Sequence, residues 1–237
     1  MLGFIRPPNP DEHARARLIA AGALALLALL MAGLLVMTPP PEEADLAPPA
    51  LRAARLTAFA EDVGACRAAL AGAGFATEAL AEVEGAGACG YSGGVELTQS
   101  VHPYSGPVAS SCALAAALVL WERDVLAPAA ETHLGQAVAR IELAAPAYQC
   151  RAIAGRSDGR LSEHASANAI DIKGFTLADG TVVTIAAGWA GKPREQAFLR
   201  AVRDGACERF EAVLSPDYNR AHRDHLHFDL GRDKLCR

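Results

Sequence analysis

An uninterrupted apolar run from Leu18 to Met37 divides the chain and constrains what the rest of it can become. Its twenty residues, at 1.5 Å per residue, form a helix of about 30 Å, which matches the hydrocarbon core of a bilayer. Arginines precede the run at positions 6, 15 and 17, whereas Thr38–Glu43 contains no basic residue. By the positive-inside rule the N-terminus stays in the cytoplasm and the rest is exported. We therefore predict a cytoplasmic segment over 1–17 and a single transmembrane helix over 18–37.

A cleaved signal peptide is the alternative interpretation of this run. The run is longer than the usual apolar region of a signal peptide, and Met37-Thr38-Pro39 offers no small-x-small cleavage site, so we favour a retained anchor. Residues 38–50 are rich in Pro, Glu and Ala, which predicts a disordered linker. Residues 51–237 then form one exported domain, long enough to bury a hydrophobic core.

The charge of the chain excludes one class of partner. The net charge is −5, and the basic residues form no stripe or cluster. Nucleic-acid binding usually requires such a basic surface, so we predict no nucleic-acid partner.

The cysteines indicate disulfides. All of them lie beyond the apolar run, and no two form a C-x-x-C pair: Cys66, Cys89, Cys112, Cys150, Cys207 and Cys236. Export to an oxidising compartment favours disulfides over a cysteine zinc knuckle or a redox motif. Six cysteines allow fifteen connectivities, and closeness along the chain favours Cys66–Cys89, Cys112–Cys150 and Cys207–Cys236.

Hydrophobic periodicity and turn signals predict an α+β domain with a small antiparallel sheet flanked by helices. The Asp179-Gly180 pair between two apolar runs is typical of a β-hairpin. We expect helices within 51–80 and over 110–126 (capped by Ser110 or Ser111), 129–138 and 193–205. We expect strands at 95–97, 139–143, 169–172, 182–185, 210–214 and, last, 225–230.

Two stretches carry the residues for a metal site. His164 precedes Asp171 by seven residues, and Asp171 lies in a predicted strand. His225 and His227 are two apart in another strand, so both side chains should point to one face. Two imidazoles and a carboxylate suit Zn²⁺, and three protein ligands with one open position are typical of a catalytic rather than a structural site.

These stretches also carry a resemblance to known proteins. The pattern Ser-x-His-x6-Asp followed by His-x-His resembles the LAS metallopeptidases, the group of lysostaphin-type peptidases, D-Ala-D-Ala carboxypeptidases and hedgehog domains. The chain from about Cys66 onward more closely resembles the bacterial extensin-like C-terminal domain family, which is similar to the carboxypeptidase branch. The matching residues are Tyr148–Arg151, Ser162–Ala165, Asn168–Asp171, Gly174, Phe175, His222, Asp224, His225, His227, Asp229, Cys112, Trp121 and Cys207.

The resemblance implies a role for individual residues. It makes His164, Asp171 and His227 the zinc ligands. Asp224 takes the position of the general base, or else orients a histidine, and His225 is a second candidate for proton transfer or charge stabilisation. Two further expectations concern the substrate: Arg151 would bind it or polarise its carbonyl, and Ser162 would hydrogen-bond it or shape the His164 loop.

Further positions near the expected site add detail to the resemblance. Asp229 would support a ligand from behind. His222 could lie near the site because it precedes His225 by three residues, but we favour a loop residue. The chain departs from the carboxypeptidases by having Ala167 where they often have Gly, and Asp224 where they have Glu.

The function implied is that of a peptidase anchored in the bacterial inner membrane. The catalytic domain would lie in the periplasm and hydrolyse D-amino-acid-containing amide bonds in the peptide stems of peptidoglycan, with Zn²⁺ as cofactor. The alternative is a non-hydrolytic, zinc-containing domain that binds the cell wall. An extensin-like structural role is not indicated, since the globular part lacks Pro repeats.

Overall fold

The structure, a computed structural model, describes residues 56–153 and 159–237. The predicted cytoplasmic segment, transmembrane helix and linker over 1–50 therefore lie outside the described residues. Within the described ranges, no helix combines the length and apolar character needed to span a bilayer.

The described residues form six α-helices and eleven strands. The helices are α1 (Leu56–Glu61), α2 (Val63–Gly72), α3 (Cys112–Trp121), α4 (Ala127–Leu134), α5 (Ile185–Gly188) and α6 (Pro193–Ala206). The first strands are β1 (Ala76–Ala79), β2 (Val83–Glu84), β3 (Gly90–Tyr91), β4 (Val95–Gln99), β5 (Ala109–Ser110) and β6 (Val138–Leu143). The others are β7 (Ala169–Leu177), β8 (Val182–Thr184), β9 (Ala212–Leu214), β10 (Leu226–Asp229) and β11 (Leu235–Cys236).

A six-stranded sheet organises the second half of the chain. Its order is β11-β9-β10-β7-β6, and β8 pairs with the second half of β7. The pairs are antiparallel except β11 with β9, which is parallel. The predicted α+β class with small antiparallel sheets is thus confirmed, but β10 is not the last strand, because the sheet is extended by β11.

The core lies between this sheet and α3. All ten residues of α3 are buried. The Trp121 ring meets Phe228 of β10 edge-on at 5.2 Å between centroids, and its Nε1–H donates to the Val202 carbonyl of α6 at 3.2 Å. Because side chains alternate along a strand, the neighbours of Phe228 point to the opposite, outer face of the sheet.

The helix predicted over 110–126 is present with one irregularity. Ser111 is its cap, since its Oγ accepts a hydrogen bond from the Leu114 amide at 3.1 Å. After α3 the chain makes a π-helical turn over Glu122–Leu126 and continues into α4. The predicted end of the second helix at Val138 is wrong: α4 ends at Leu134 because Gly135 adopts the left-handed conformation (φ 65°) that commonly terminates helices.

Glu122 of that π-helical turn holds the loop before β5. Its buried carboxylate accepts hydrogen bonds from Ser100 Oγ at 2.7 Å, the His102 amide at 2.8 Å and Tyr104 Oη at 2.5 Å. Burial raises the pKa of Glu122 to about 7, although these hydrogen bonds act to lower it.

The N-terminal part of the domain differs from the helical region predicted over 51–80. Its helices end at Gly72, and Ala76–Ala79 forms strand β1, which pairs with β4. Gly74 lies between them with a φ of 86°, a conformation that glycine adopts at little cost and that ends the helix.

All six cysteines form disulfides, as predicted, but two of the three predicted pairs are wrong. The observed pairs are Cys66–Cys112, Cys89–Cys150 and Cys207–Cys236. The first joins α2 to the start of α3, which pack together in space although they are 46 residues apart. The last is confirmed and fastens β11 to the end of α6.

Candidate metal centre

His164 is positioned by a single helical turn. Ser162 begins a 3-10 helix over Glu163–Ser166, and its Oγ accepts a hydrogen bond from the His164 amide at 3.4 Å. The His164 side chain is fully buried, and its Nδ1 lies 2.7 Å from the Ala147 carbonyl. A carbonyl can only accept, so Nδ1 carries the hydrogen and Nε2 presents its lone pair to the site.

The turn ends at a strained position. Ala167 adopts a left-handed conformation (φ 54°), and within 56–153 and 159–237 it is the one non-glycine residue with a positive φ. A side chain there costs roughly 1–2 kcal/mol, a cost in stability that a glycine at this position would avoid.

Asp171 and His227 face each other across the sheet. They are direct partners in the antiparallel pairing of β7 with β10, and both are buried. His227 Nδ1 lies 2.8 Å from Asp171 Oδ1. The predicted loop, strand and His-x-His strand thus bring His164, Asp171 and His227 together.

The three candidate ligand atoms form a compact triangle. His164 Nε2 lies 3.2 Å from His227 Nδ1 and 3.1 Å from Asp171 Oδ1. Three donors of a tetrahedral zinc at 2.0–2.1 Å would lie about 3.3 Å apart. Both histidines also have their second ring nitrogen hydrogen-bonded to an acceptor, as metal-binding histidines usually do. The donor set and its spacing therefore fit a metal ion, and we call these three residues the triad.

Asp229 fixes the ring of His227, in agreement with its predicted supporting role. Its Oδ2 accepts a hydrogen bond from His227 Nε2 at 2.9 Å, and its Oδ1 accepts one from the Gly231 amide at 2.8 Å. The carboxylate thus uses one oxygen for each donor. This arrangement leaves His227 Nδ1 as the nitrogen that faces the triad.

The electrostatics of the triad agree with a cation site. Burial alone would raise the pKa of Asp171, but its contacts with His164 and His227 lower it well below its usual range, so the carboxylate is ionised. Burial would lower the pKa of His227, but its hydrogen bonds to Asp171 and Asp229 raise it to about 9. In the metal-free protein a proton on His227 therefore supplies the positive charge that two buried carboxylates require.

His225 lies beside the triad and is held by Asp224. His225 Nε2 is 3.8 Å from Asp171 Oδ1, and its Nδ1 is 2.9 Å from Asp224 Oδ1. Asp224 is about half exposed, and its pKa is lowered by the hydrogen bond from His225. Of the two predicted residues, it is His225 whose ring lies against the triad, while Asp224 orients that ring.

Arg151 also lies beside Asp171. Its Nη2 is 3.7 Å from Asp171 Oδ2, and the side chain is partly exposed, so it can also contact a bound molecule. Ser162, predicted to bind substrate or shape the His164 loop, does shape that loop and also lines a groove beside the triad.

His222 belongs to the site, which was the less favoured of the two interpretations of its position. It ends a 3-10 helix over Arg220–His222, and its ring centroid is 5.2 Å from that of His225 and 5.9 Å from that of His227. Its Nδ1 lies 2.8 Å from Asn219 Oδ1. Burial and the neighbouring histidines lower the pKa of His222 to about 4, so the ring is neutral at pH 7. Its spacing of three residues before His225 was the available signal in the sequence.

Two grooves reach the triad on the outer face of the sheet. The β8 groove has a volume of about 680 Å³ and touches Asp171 and His225. It is lined beyond them by Arg140, Glu142, Lys173, Thr176, Val182 and Thr184. The β9 groove has a volume of about 370 Å³ and touches His227. Its further lining includes Arg151, Ser162, Leu214, Tyr218, His222 and Leu235.

Comparison with known proteins identifies the family. The family profile described as Extensin-like protein C-terminus matches residues 64–237. The chain belongs to this family. The match covers the triad, all six cysteines and both grooves. Neither the curated proteins nor the solved structures contain a significant match to the chain.

Proposed function

We propose that the protein is a zinc-dependent peptidase that hydrolyses amide bonds in the peptide stems of peptidoglycan. The observation that carries the proposal is the convergence of His164 Nε2, Asp171 Oδ1 and His227 Nδ1 within 3.2 Å of one another. The three are buried, yet both grooves reach members of the triad, so a metal ion there would be accessible to a substrate. The motif resemblance to the LAS metallopeptidases supports the same chemistry.

The residues around the triad can each take a separate role in hydrolysis. Zinc bound there would act as a Lewis acid that polarises the substrate carbonyl and acidifies a water molecule. His225 is placed to accept a proton from the attacking water and to pass it to the leaving amine, because its Nε2 faces the triad. Asp224 holds the ring in that orientation through Nδ1.

Arg151 would act on the substrate from the β9 groove. A guanidinium can donate two parallel hydrogen bonds to a carboxylate or support a carbonyl oxygen on which charge develops. Its distance of 3.7 Å from Asp171 leaves it close to the site without a tight ion pair.

The proposed location is the periplasmic side of the bacterial inner membrane. The apolar run over 18–37, the arginines before it and the disulfides of the domain support export with a retained anchor. Peptidoglycan stems would be within reach of a domain held there by the linker over 38–50.

Muropeptide digestion tests the proposal. Purified protein with zinc is incubated with muropeptides from sacculi, and the products are identified by mass spectrometry. We expect hydrolysis of stem amide bonds that stops with a chelator and resumes with added zinc. The absence of any cleavage would contradict the proposal.

A wall-binding role is the second candidate. The observation that favours it is Asp224, which replaces the longer Glu of the carboxypeptidases and is engaged with His225. In that case the protein would sediment with purified sacculi, release no stem fragments, and keep its zinc.

A further inference from the structure

The triad lies between two grooves that leave it in different directions. Asp171 and His227 are cross-strand partners near the middle of the outer sheet face. From Asp171 the β8 groove follows the second half of β7 between β6 and β8. From His227 the β9 groove crosses β10 to β9 and β11.

The strand register places the floors of both grooves on the same face as the triad. Leu214 of β9 is the partner of His227. Leu235 of β11 is the partner of Ala212, which lies two residues before Leu214 and on the same face of β9. Thr176 and Thr184 lie on the outer face at the other end of β7 and line the β8 groove. Since partners across a sheet project to the same side, the two floors and the triad form one surface.

Each of the two grooves also contains an exposed hydrophobic side chain. Within the described ranges three large hydrophobic side chains are exposed: Val101 at 36%, Val182 at 54% and Tyr218 at 42%. Val182 lines the β8 groove and Tyr218 lines the β9 groove. Each groove thus offers one exposed apolar side chain that a bound chain would cover.

A positive charge also lies in each groove. Lys173 is exposed in the β8 groove, where Glu142 is already engaged by Arg140 Nε at 2.7 Å and Thr176 Oγ1 at 2.6 Å. Arg151 lies in the β9 groove. Both sides of the triad can therefore bind a carboxylate of the substrate.

We infer that the substrate chain continues on both sides of the bond that is cut, so that the protein is an endopeptidase acting on cross-linked stems and not a carboxypeptidase. A carboxypeptidase needs room for one terminal residue beyond the metal. Here each side has the volume of an ordinary ligand pocket. This inference rests on the proposed zinc peptidase function.

The test compares two substrates from sacculi: a cross-linked tetrapeptide dimer and an uncross-linked pentapeptide monomer. The zinc-loaded protein should convert the dimer into two monomers and leave the pentapeptide at full length. Release of the terminal residue from the pentapeptide, with the dimer intact, would overturn the inference while the peptidase function stands. Zinc-dependent cleavage of neither substrate would overturn both.

Groove variants check that both sides are used. Val182→Ser and Tyr218→Ser should each lower kcat/KM for the dimer by about three- to tenfold, because a partly exposed side chain becomes buried on binding. Val101→Ser is the matched control, since Val101 is exposed but lines neither groove, and it should leave the rate unchanged. An effect of one groove variant without the other would place the substrate on one side and contradict the inference.

Discussion

Replacing Asp229 by Asn should weaken zinc binding although Asp229 is not itself a ligand. One of its oxygens accepts from His227 Nε2 and the other from the Gly231 amide. Asn has a single acceptor oxygen. If that oxygen stays with Gly231, the amide NH₂ faces the Nε2 hydrogen, and the ring escapes the clash by moving its hydrogen to Nδ1. The lone pair that faces the triad is then lost.

The expected loss of zinc affinity is large enough to measure. Partners behind a metal-binding histidine usually contribute 10- to 100-fold in affinity, which corresponds to about 1.4–2.7 kcal/mol. We expect Asp229→Asn to lose about 100-fold in zinc affinity and Asp229→Ala about 10-fold, because Ala removes the acceptor without adding an opposed donor.

Competition with a chromophoric chelator at fixed pH measures the zinc Kd of each variant. Asp233→Asn is the matched control, because Asp233 is an exposed carboxylate in the same groove that pairs with Arg160. It should bind zinc as the parent does. A Kd for Asp229→Asn within twofold of the parent would refute the tautomer argument.

Further outcomes concern stability and proton transfer. The folded-state pKa of Glu122 is about 7 against an ordinary value of 4.5, so its ionisation should remove roughly 3 kcal/mol of stability as the pH rises from 4.5 to 7. Urea unfolding of Glu122→Gln and of the parent should show this as a change of the same size, over the same pH range, in the difference between their free energies of unfolding. Replacing Cys207 and Cys236 by Ser opens a loop of 29 residues and should lower the free energy of unfolding by about 3–4 kcal/mol; a loss below about 1 kcal/mol would contradict this. His225→Ala should slow hydrolysis by about a hundredfold to ten-thousandfold with zinc retained, and Asp224→Asn by less, whereas the reverse order would make Asp224 the base.

The sequence predicted what depends on local rules. The two-residue alternation of a strand predicted that His225 and His227 point to one face, and both rings lie at Asp171. The Asp179-Gly180 turn signal correctly predicted the hairpin that holds β7 against β8. Ser111 as a helix cap follows from the same kind of short-range chemistry.

What depends on packing between distant elements was not predictable. The cross-strand partnership of Asp171 with His227 is a matter of register, which no single strand specifies. The pair Cys66–Cys112 forms because α2 packs on α3, and closeness along the chain favoured Cys89 instead. His222 reaches the site through the direction of a short 3-10 helix, for which the sequence gives only a spacing.

Titration of zinc into the metal-free protein tests whether hydrolysis depends on a metal ion at the triad. The rate of muropeptide hydrolysis is followed as zinc is added in small fractions of an equivalent. We expect the rate to rise linearly until one zinc is bound per chain, and we expect no rise for His164→Ala or His227→Ala. Hydrolysis at its full rate before zinc is added, or hydrolysis that persists in both variants, would contradict a zinc-dependent mechanism at the triad.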